Sequence, residues 1–284
     1  MMLLPVFTDS HVHLGLADAA ALRAGGIGRV LDLGWDPAIA SGWRGTHADG
    51  LRVDIAGPLL AAPGGYPLTS GWAPPEATLE VADAAAAASA IARLVHLGAA
   101  VAKITLNAEA GPVWNDPLLA TVVARAHEAQ LPVVAHAQGA GQAERALDAG
   151  VDALAHTPWS ESLSDAVIAR MAQRMAWIST LDIHGWGAYG DDFGRAFGNL
   201  ERFVAAGGTV HYGTDLGNGP LPAGLNRREL EALDAAGVDL VAALRGILPT
   251  DDHVDDRLVQ DVPVDTLADI TLDSLLASTV KDRT

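Results

Sequence analysis

The 284-residue chain contains no cysteine. Disulfides, thiolate metal sites and cysteine nucleophiles are therefore excluded, and any metal must be held by His, Asp, Glu or a modified Lys. Basic residues are scarce: 18 Lys and Arg stand against 35 Asp and Glu, a formal net charge of −17. A surface of that sign repels nucleic-acid phosphates and anionic membranes, so neither is an expected partner. Long apolar runs are missing too. Met1 to Phe7 is too short for a signal core, and the alanine run Ala84 to Ala88 lies between Asp83 and Arg93. A soluble cytoplasmic protein acting on a small molecule is expected, with oligomeric state left open and a homo-oligomer allowed. Neither a G-x-S-x-G elbow nor a phosphate-binding P-loop occurs.

What is present is a large core and a regular alternation. Half the residues are apolar and 19% are charged, enough to bury a sizeable interior. Eight short β-type runs recur: Val6–Asp9, Arg29–Leu33, Arg52–Ala56, Ala100–Thr105, Pro132–Ala135, Ala153–Ala155, Ala176–Thr180 and Thr209–Tyr212. Helical patterns fall between most of them, as at 83–97, 117–130, 140–149, 164–173 and 200–206. Such alternation predicts parallel βαβ units, and eight of them predict a (β/α)8 TIM barrel over residues 1–248. A helix is expected near 240–248, and 249–284 reads as an irregular C-terminal tail. The long Gly/Pro-rich loop 59–75, carrying Tyr66 and Trp72, is expected to roof the site.

The strand ends carry the chemistry. His11 and His13 lie two apart in an extended run, so both imidazoles project to one face. Lys103 ends the fourth run, His136 the fifth, His156 the sixth, and Asp215 follows the eighth. Any one of them alone reads equally well as a core histidine, a snorkelling lysine or a turn residue. Together, in strand order, they read as a metal set. Imidazoles plus a carboxylate hold one or two Zn²⁺-like ions and leave a position open for a hydroxide nucleophile. A protonated lysine cannot ligate a cation, but a neutral amine adds CO₂ to give a carbamate able to bridge two metals. Asp215 is placed to take the proton from the attacking water and pass it to the leaving group. Tyr66 and His184 are weaker candidates for substrate contacts. His47, His96, His127 and His253 read as surface or helix positions, His211 as internal packing. Trp35, Trp114, Trp159, Trp177 and Trp186 read mainly as packing.

The segments FTDSHVHL, AVAKITL, VVAHAQG, AGVDALAHT and HYGTDLG resemble the amidohydrolase superfamily, and within it the imidazolonepropionase-like and metal-dependent prolidase-like branch. The resemblance spans roughly Val6 to Ala236. It implies that His11, His13 and Asp215 hold a more buried metal, that His136 and His156 hold a more exposed one, and that Lys103 is the bridging carbamate. It also implies hydrolysis of a small amide, such as a dipeptide, N-acyl amino acid or cyclic amide. The family's accessory β-sandwich is expected to be reduced or absent, with 249–284 a remnant of its closing segment. Alternatives are a mononuclear, deaminase-like centre with Lys103 unmodified, a lactone or ester hydrolase, and a degenerate barrel that only binds ligand.

Overall fold

The computed structural model describes residues 1–46, 50–68, 70–248 and 258–282. His47 and His253 lie outside them. Strands among the described residues are β1 (Met2–Leu4), β2 (Thr8–Val12), β3 (Arg29–Asp32), β4 (Gly45–Thr46), β5 (Arg52–Ile55), β6 (Leu59–Ala61), β7 (Thr78–Glu80), β8 (Ala102–Asn107), β9 (Val133–Gln138), β10 (Ala153–Leu154), β11 (Ala176–Ile178), β12 (Thr209–His211), β13 (Leu258–Val262) and β14 (Thr279–Asp282). They form a mixed α/β fold. Seven strands pair in the order β12-β11-β10-β9-β8-β6-β7, all parallel; four pair as β2-β3-β5-β4; three pair as β1-β13-β14.

The two larger sheets are bonded to each other at both sides. On one side Ser10 N–H donates to Tyr212 O (2.9 Å), Asp215 N–H to His11 O (2.8 Å) and His13 N–H to Leu216 O (2.9 Å). On the other, Ala100 N–H donates to Ile55 O (2.8 Å), and the chain passes from β5 to β6 through Gly57, whose φ of 74° suits glycine. Between the sheets lies a cluster of Leu31, Leu33, Ala56, Val101, Val134, Ala153, Ala155 and Ile178. Neighbours such as Val30 and Val133 point the other way, into the larger core under the helices. Strands buried on both faces explain why these runs are continuously apolar rather than alternating.

The helices begin and end where local chemistry dictates. In Ala84–Leu97, Asp83 caps Ala86 N–H, Leu94 and Ile91 are buried, and Gly98 closes the end at φ 73°. Asn115 caps Asp116–Glu128, and Ser164 caps Asp165–Arg174. Two expectations need correction. The seventh helix runs over Asp191–Ala205, well before residue 200, and an additional helix spans Arg227–Ala235. The tail is not irregular where it is described. β13 pairs antiparallel with both β1 and β14, and Leu272–Leu276 is helical. Buried Gln260 ties this small sheet to the larger core: its Oε1 accepts Phe7 N–H (3.3 Å) and its Nε2 donates to Gly26 O (3.2 Å). Among the described residues no helix is long and apolar enough to cross a membrane.

Candidate metal centre

The strand ends meet as a buried cluster. β2 is buried along its whole length, His11 included, and His13 just past its end is buried too. Asp9 anchors that segment. Its carboxylate accepts His11 N–H (3.1 Å), Thr214 N–H (3.0 Å) and the Thr214 hydroxyl (2.6 Å). The start of β2 is thereby locked to the turn that carries Asp215. Burial pushes the Asp9 carboxyl up to about 7. Asp215 itself sits at φ 57°, a left-handed conformation uncommon outside glycine and tolerated by aspartate.

Hydrogen bonds behind the rings fix their orientation. His11 Nδ1 lies 2.9 Å from Ala155 O, and His13 Nδ1 lies 3.0 Å from Gly34 O. A carbonyl only accepts, so each Nδ1 carries the proton and each Nε2 lone pair faces inward. There His11 Nε2 is 3.1 Å and His13 Nε2 3.3 Å from Asp215 Oδ1. His156 is held by Thr180 Oγ1 at 2.8 Å from its Nδ1. One ligand atom each from His11, His156 and Asp215 lie within 4.8 Å of one another. Lys103 reaches the same floor, 1% exposed.

Two of these atoms are orphans. Among the described residues, His11 Nε2 and Lys103 Nζ are buried with no hydrogen-bond partner. Leaving such groups unpaired is costly, and the cost points to a missing ligand. The electrostatics agree. Burial holds His11 and His156 well below the usual imidazole range, takes His136 down to about 3, and takes Lys103 down to about 7. Burial pushes Asp215 up, but His11, His13 and His156 more than offset it, so its carboxyl lies well below the usual range. The demands compete: the carboxylate wants positive charge beside it, while burial wants the imidazoles neutral. A cation satisfies both, and the donor set of neutral imidazoles and one carboxylate fits a Zn²⁺-like ion.

The same cavity of about 130 Å³ is also lined by Tyr66. It thus gathers seven of the eight residues singled out in the sequence. His184 is the exception: it stands behind the wall, its ring 5.0 Å from that of Trp159. Tyr66 stacks on His136 at 4.9 Å and accepts a hydrogen bond from Trp72 Nε1 (3.0 Å). His136 differs from the other imidazoles. Its Nε2 lies 3.2 Å from Gln138 Oε1 and 3.4 Å from Asn107 Nδ2, donating to the first or accepting from the second according to its tautomer. Half-buried Ile183 and three further lining residues escape the sequence reading. Trp159 was assigned to packing, and Gln138 and Asn218 were not singled out, although each lies two or three residues past a candidate ligand. Asn218 Nδ2 donates to Asp215 Oδ2 (2.9 Å). His211 lies away from the cluster, at a separate cavity, and His127 pairs with Asp152 on the surface (2.8 Å).

No family model and no curated protein matches the chain. Solved structures do. A Xaa-Pro dipeptidase with bound methionine superposes with a TM-score of 0.74 at 18% identity, covering 98% of this chain and 84% of that one. Ochratoxinase of A. niger gives 0.73 at 16% identity, covering 96% and 79%. Molinate hydrolase gives 0.69 at 18% identity, covering 99% and 82%. The fold is the one these structures share. The resemblance read in the sequence is consistent with these neighbours, which are named as a dipeptidase, an ochratoxinase and a hydrolase. At such identities the amidohydrolase likeness establishes architecture alone.

Proposed function

We propose that this chain is a metal-dependent hydrolase of a small amide, working at the mouth of one closed (β/α)8 barrel formed by the two bonded sheets. The reading is carried by one observation: His11 Nε2 and Lys103 Nζ, both buried and unpartnered, sit beside an ionised Asp215. His11, His13 and Asp215 would hold one cation, and His136 and His156 a second. The neutral amine of Lys103 would take up CO₂ as a carbamate, losing a proton and gaining two oxygens to bridge them. A bound divalent ion supplies Lewis acidity, polarising a carbonyl and bringing the pKa of water towards ~7.

The protein's own groups do the rest. Asp215 accepts the proton of the attacking water and returns it to the leaving nitrogen, as general base and then general acid. Asn218 holds its second oxygen so that the first stays turned towards the histidines. Tyr66 accepts from Trp72 and so keeps its own O–H free to donate to a developing oxyanion. Residues 1–248 form the hydrolase domain in this reading, and 249–284, whose β13 and β14 add to β1, are the remnant of the closing segment. The substrate is a small molecule of the cytoplasm rather than a nucleic acid or a membrane.

A mononuclear reading has one observation in its favour: His136 Nε2 is already engaged by Gln138 and Asn107, while His11, His156 and Asp215 converge without it. Metal analysis of the purified protein tests both. Two equivalents, with a carbamate on Lys103 labelled by carbon-13 bicarbonate, support the first reading. One equivalent and a bare amine support the second. Less than half an equivalent, unrestored by added zinc, sinks them together.

A further inference from the structure

We propose that the pocket selects small neutral amides with an apolar or aromatic substituent and turns away substrates bearing a free carboxylate. The proposal rests on the hydrolase reading above and narrows it. It separates the cyclic or simple amides from the dipeptides and N-acyl amino acids, which carry a carboxylate next to the scissile bond.

The argument starts from what recognition of a carboxylate needs. A desolvated carboxylate calls for a guanidinium, an ammonium or a cluster of free N–H groups. Among the described residues the pocket wall holds no arginine, and its one lysine, Lys103, lies on the floor among the histidines. Two cations that bond to Trp159 and to the neighbour of Ile183 are already engaged. Arg195 donates to Trp159 O (2.8 Å) and pairs with Asp192. Arg228 is held by Asp182 through Nε (2.8 Å) and Nη2 (2.8 Å). In the turn that follows Gln138 two amides are taken up within the chain. Gly139 N–H donates to Ser160 Oγ (3.0 Å) and Gly141 N–H to the Glu161 carboxylate (2.8 Å).

The groups that do face an entering molecule are acidic, amidic or aromatic. Exposed Glu109 accepts from Gln138 Nε2 (2.7 Å) at the rim. The net charge of −17 extends that sign over the whole molecule. An anion entering this site meets repulsion at the rim and no counter-charge on the wall. Trp72, Tyr66 and Trp159 wall the cavity with flat apolar surface, their rings 4.5 to 5.7 Å from the rings of His13, His136 and His156. The volume of about 130 Å³ is close to that of a cavity holding one benzene ring, roughly 150 Å³. One ring or a short acyl group fills it.

The test compares acetanilide with 4-acetamidobenzoate, matched in the scissile bond and differing by one carboxylate, on the zinc-loaded full-length protein. The neutral member is expected to show kcat/KM at least about a hundredfold higher. Binding of the same pair, followed by quenching of tryptophan fluorescence, is expected to favour the neutral member at least about tenfold. Equal or faster cleavage of the anion, equal or tighter binding of it, or failure of both to bind overturns the proposal. Absence of turnover with the binding preference intact sinks the hydrolase reading and leaves the charge selection standing. Ile183→Lys, which places an ammonium on the half-buried wall, is expected to shrink the preference about tenfold; an unchanged preference overturns the electrostatic account.

Discussion

Two buried polar clusters lie close together on the strand-end side of the molecule, and they differ in one respect. Around Asp182 every partner is supplied by the chain. Arg228 forks onto the carboxylate, Asn226 donates to it at 2.7 Å, and Tyr189 donates to it at 3.1 Å. Glu229 beneath accepts Leu181 N–H (2.9 Å) and Asp182 N–H (2.7 Å). Around Asp215 the chain stops short, with His11 Nε2 and Lys103 Nζ left over. A network that closes on itself holds loops in place; one that leaves inward-facing donors and lone pairs unfilled is built for a ligand. The two clusters should therefore respond oppositely to mutation and to metal.

The largest effect is expected at the open cluster. His11→Ala with His13→Ala should lower kcat/KM by at least about a thousandfold, since the cation's contribution is worth several kcal/mol. The substitutions also remove the ring hydrogen bonds to Ala155 O and Gly34 O, about 1 kcal/mol each, a loss the fold should survive. Circular dichroism alongside activity checks both halves. Metal is next. Zinc at a thousand times its Kd should stabilise the wild type by about 4 kcal/mol. Thermal unfolding with and without chelator should show that gain abolished in the double-alanine protein and intact in Arg228→Ala. Loss of the increment in Arg228→Ala would merge the clusters and end the comparison.

The closed cluster should answer to pH instead. Burial raises Glu229 from its ordinary value of 4.5 to about 7. A carboxyl raised on folding binds its proton more tightly when folded. Its contribution is fully present below pH 4.5 and is lost as pH rises to about 7. The full shift corresponds to about 3 kcal/mol. Urea unfolding between pH 4.5 and 8 should show part of that slope, and Glu229→Gln should flatten it; an identical slope in the variant refutes the assignment. Arg228→Ala should cost less, about 2 kcal/mol, because the arginine side chain is 39% exposed and water replaces part of what it gives.

How far the open cluster could be read from sequence follows from where its information lies. His11 and His13 announce themselves by a spacing of two in an extended run, and Lys103, His136 and His156 by standing at the ends of apolar runs. Those signals are local. Trp159 and Asn218 gave none, since only the loops' path decides whether an aromatic or an amide faces inward or packs. The helix at Asp191–Ala205 carries Gly194 and Gly198, residues of low helix propensity that weaken its local signal. Both face open space, and the buried stripe Ala196, Leu200 and Phe203 outweighs their cost of about 1 kcal/mol each. The small sheet was invisible for another reason. Leu4 pairs with Gln260, and no local pattern reports a partner so distant in the chain.

The finest test separates positioning from mere packing at Asn218. Its amide fixes Asp215 Oδ2, and its own carbonyl accepts Trp186 Nε1–H (3.1 Å), so one residue joins the roof to the carboxylate. Asn218→Ala removes only the side-chain bond, leaving the carbonyl contact in place. Losing a hydrogen bond to the ionised form raises the carboxyl's pKa, so the acid limb of the kcat/KM profile should move to higher pH. kcat should fall about tenfold with little change in KM, the signature of a contact that matters as the proton moves. Asn218→Asp should shift the limb further, because a like charge replaces the donor. A profile that stays put while the melting temperature drops would return Asn218 to the closed kind of network, where side chains hold the fold and nothing else.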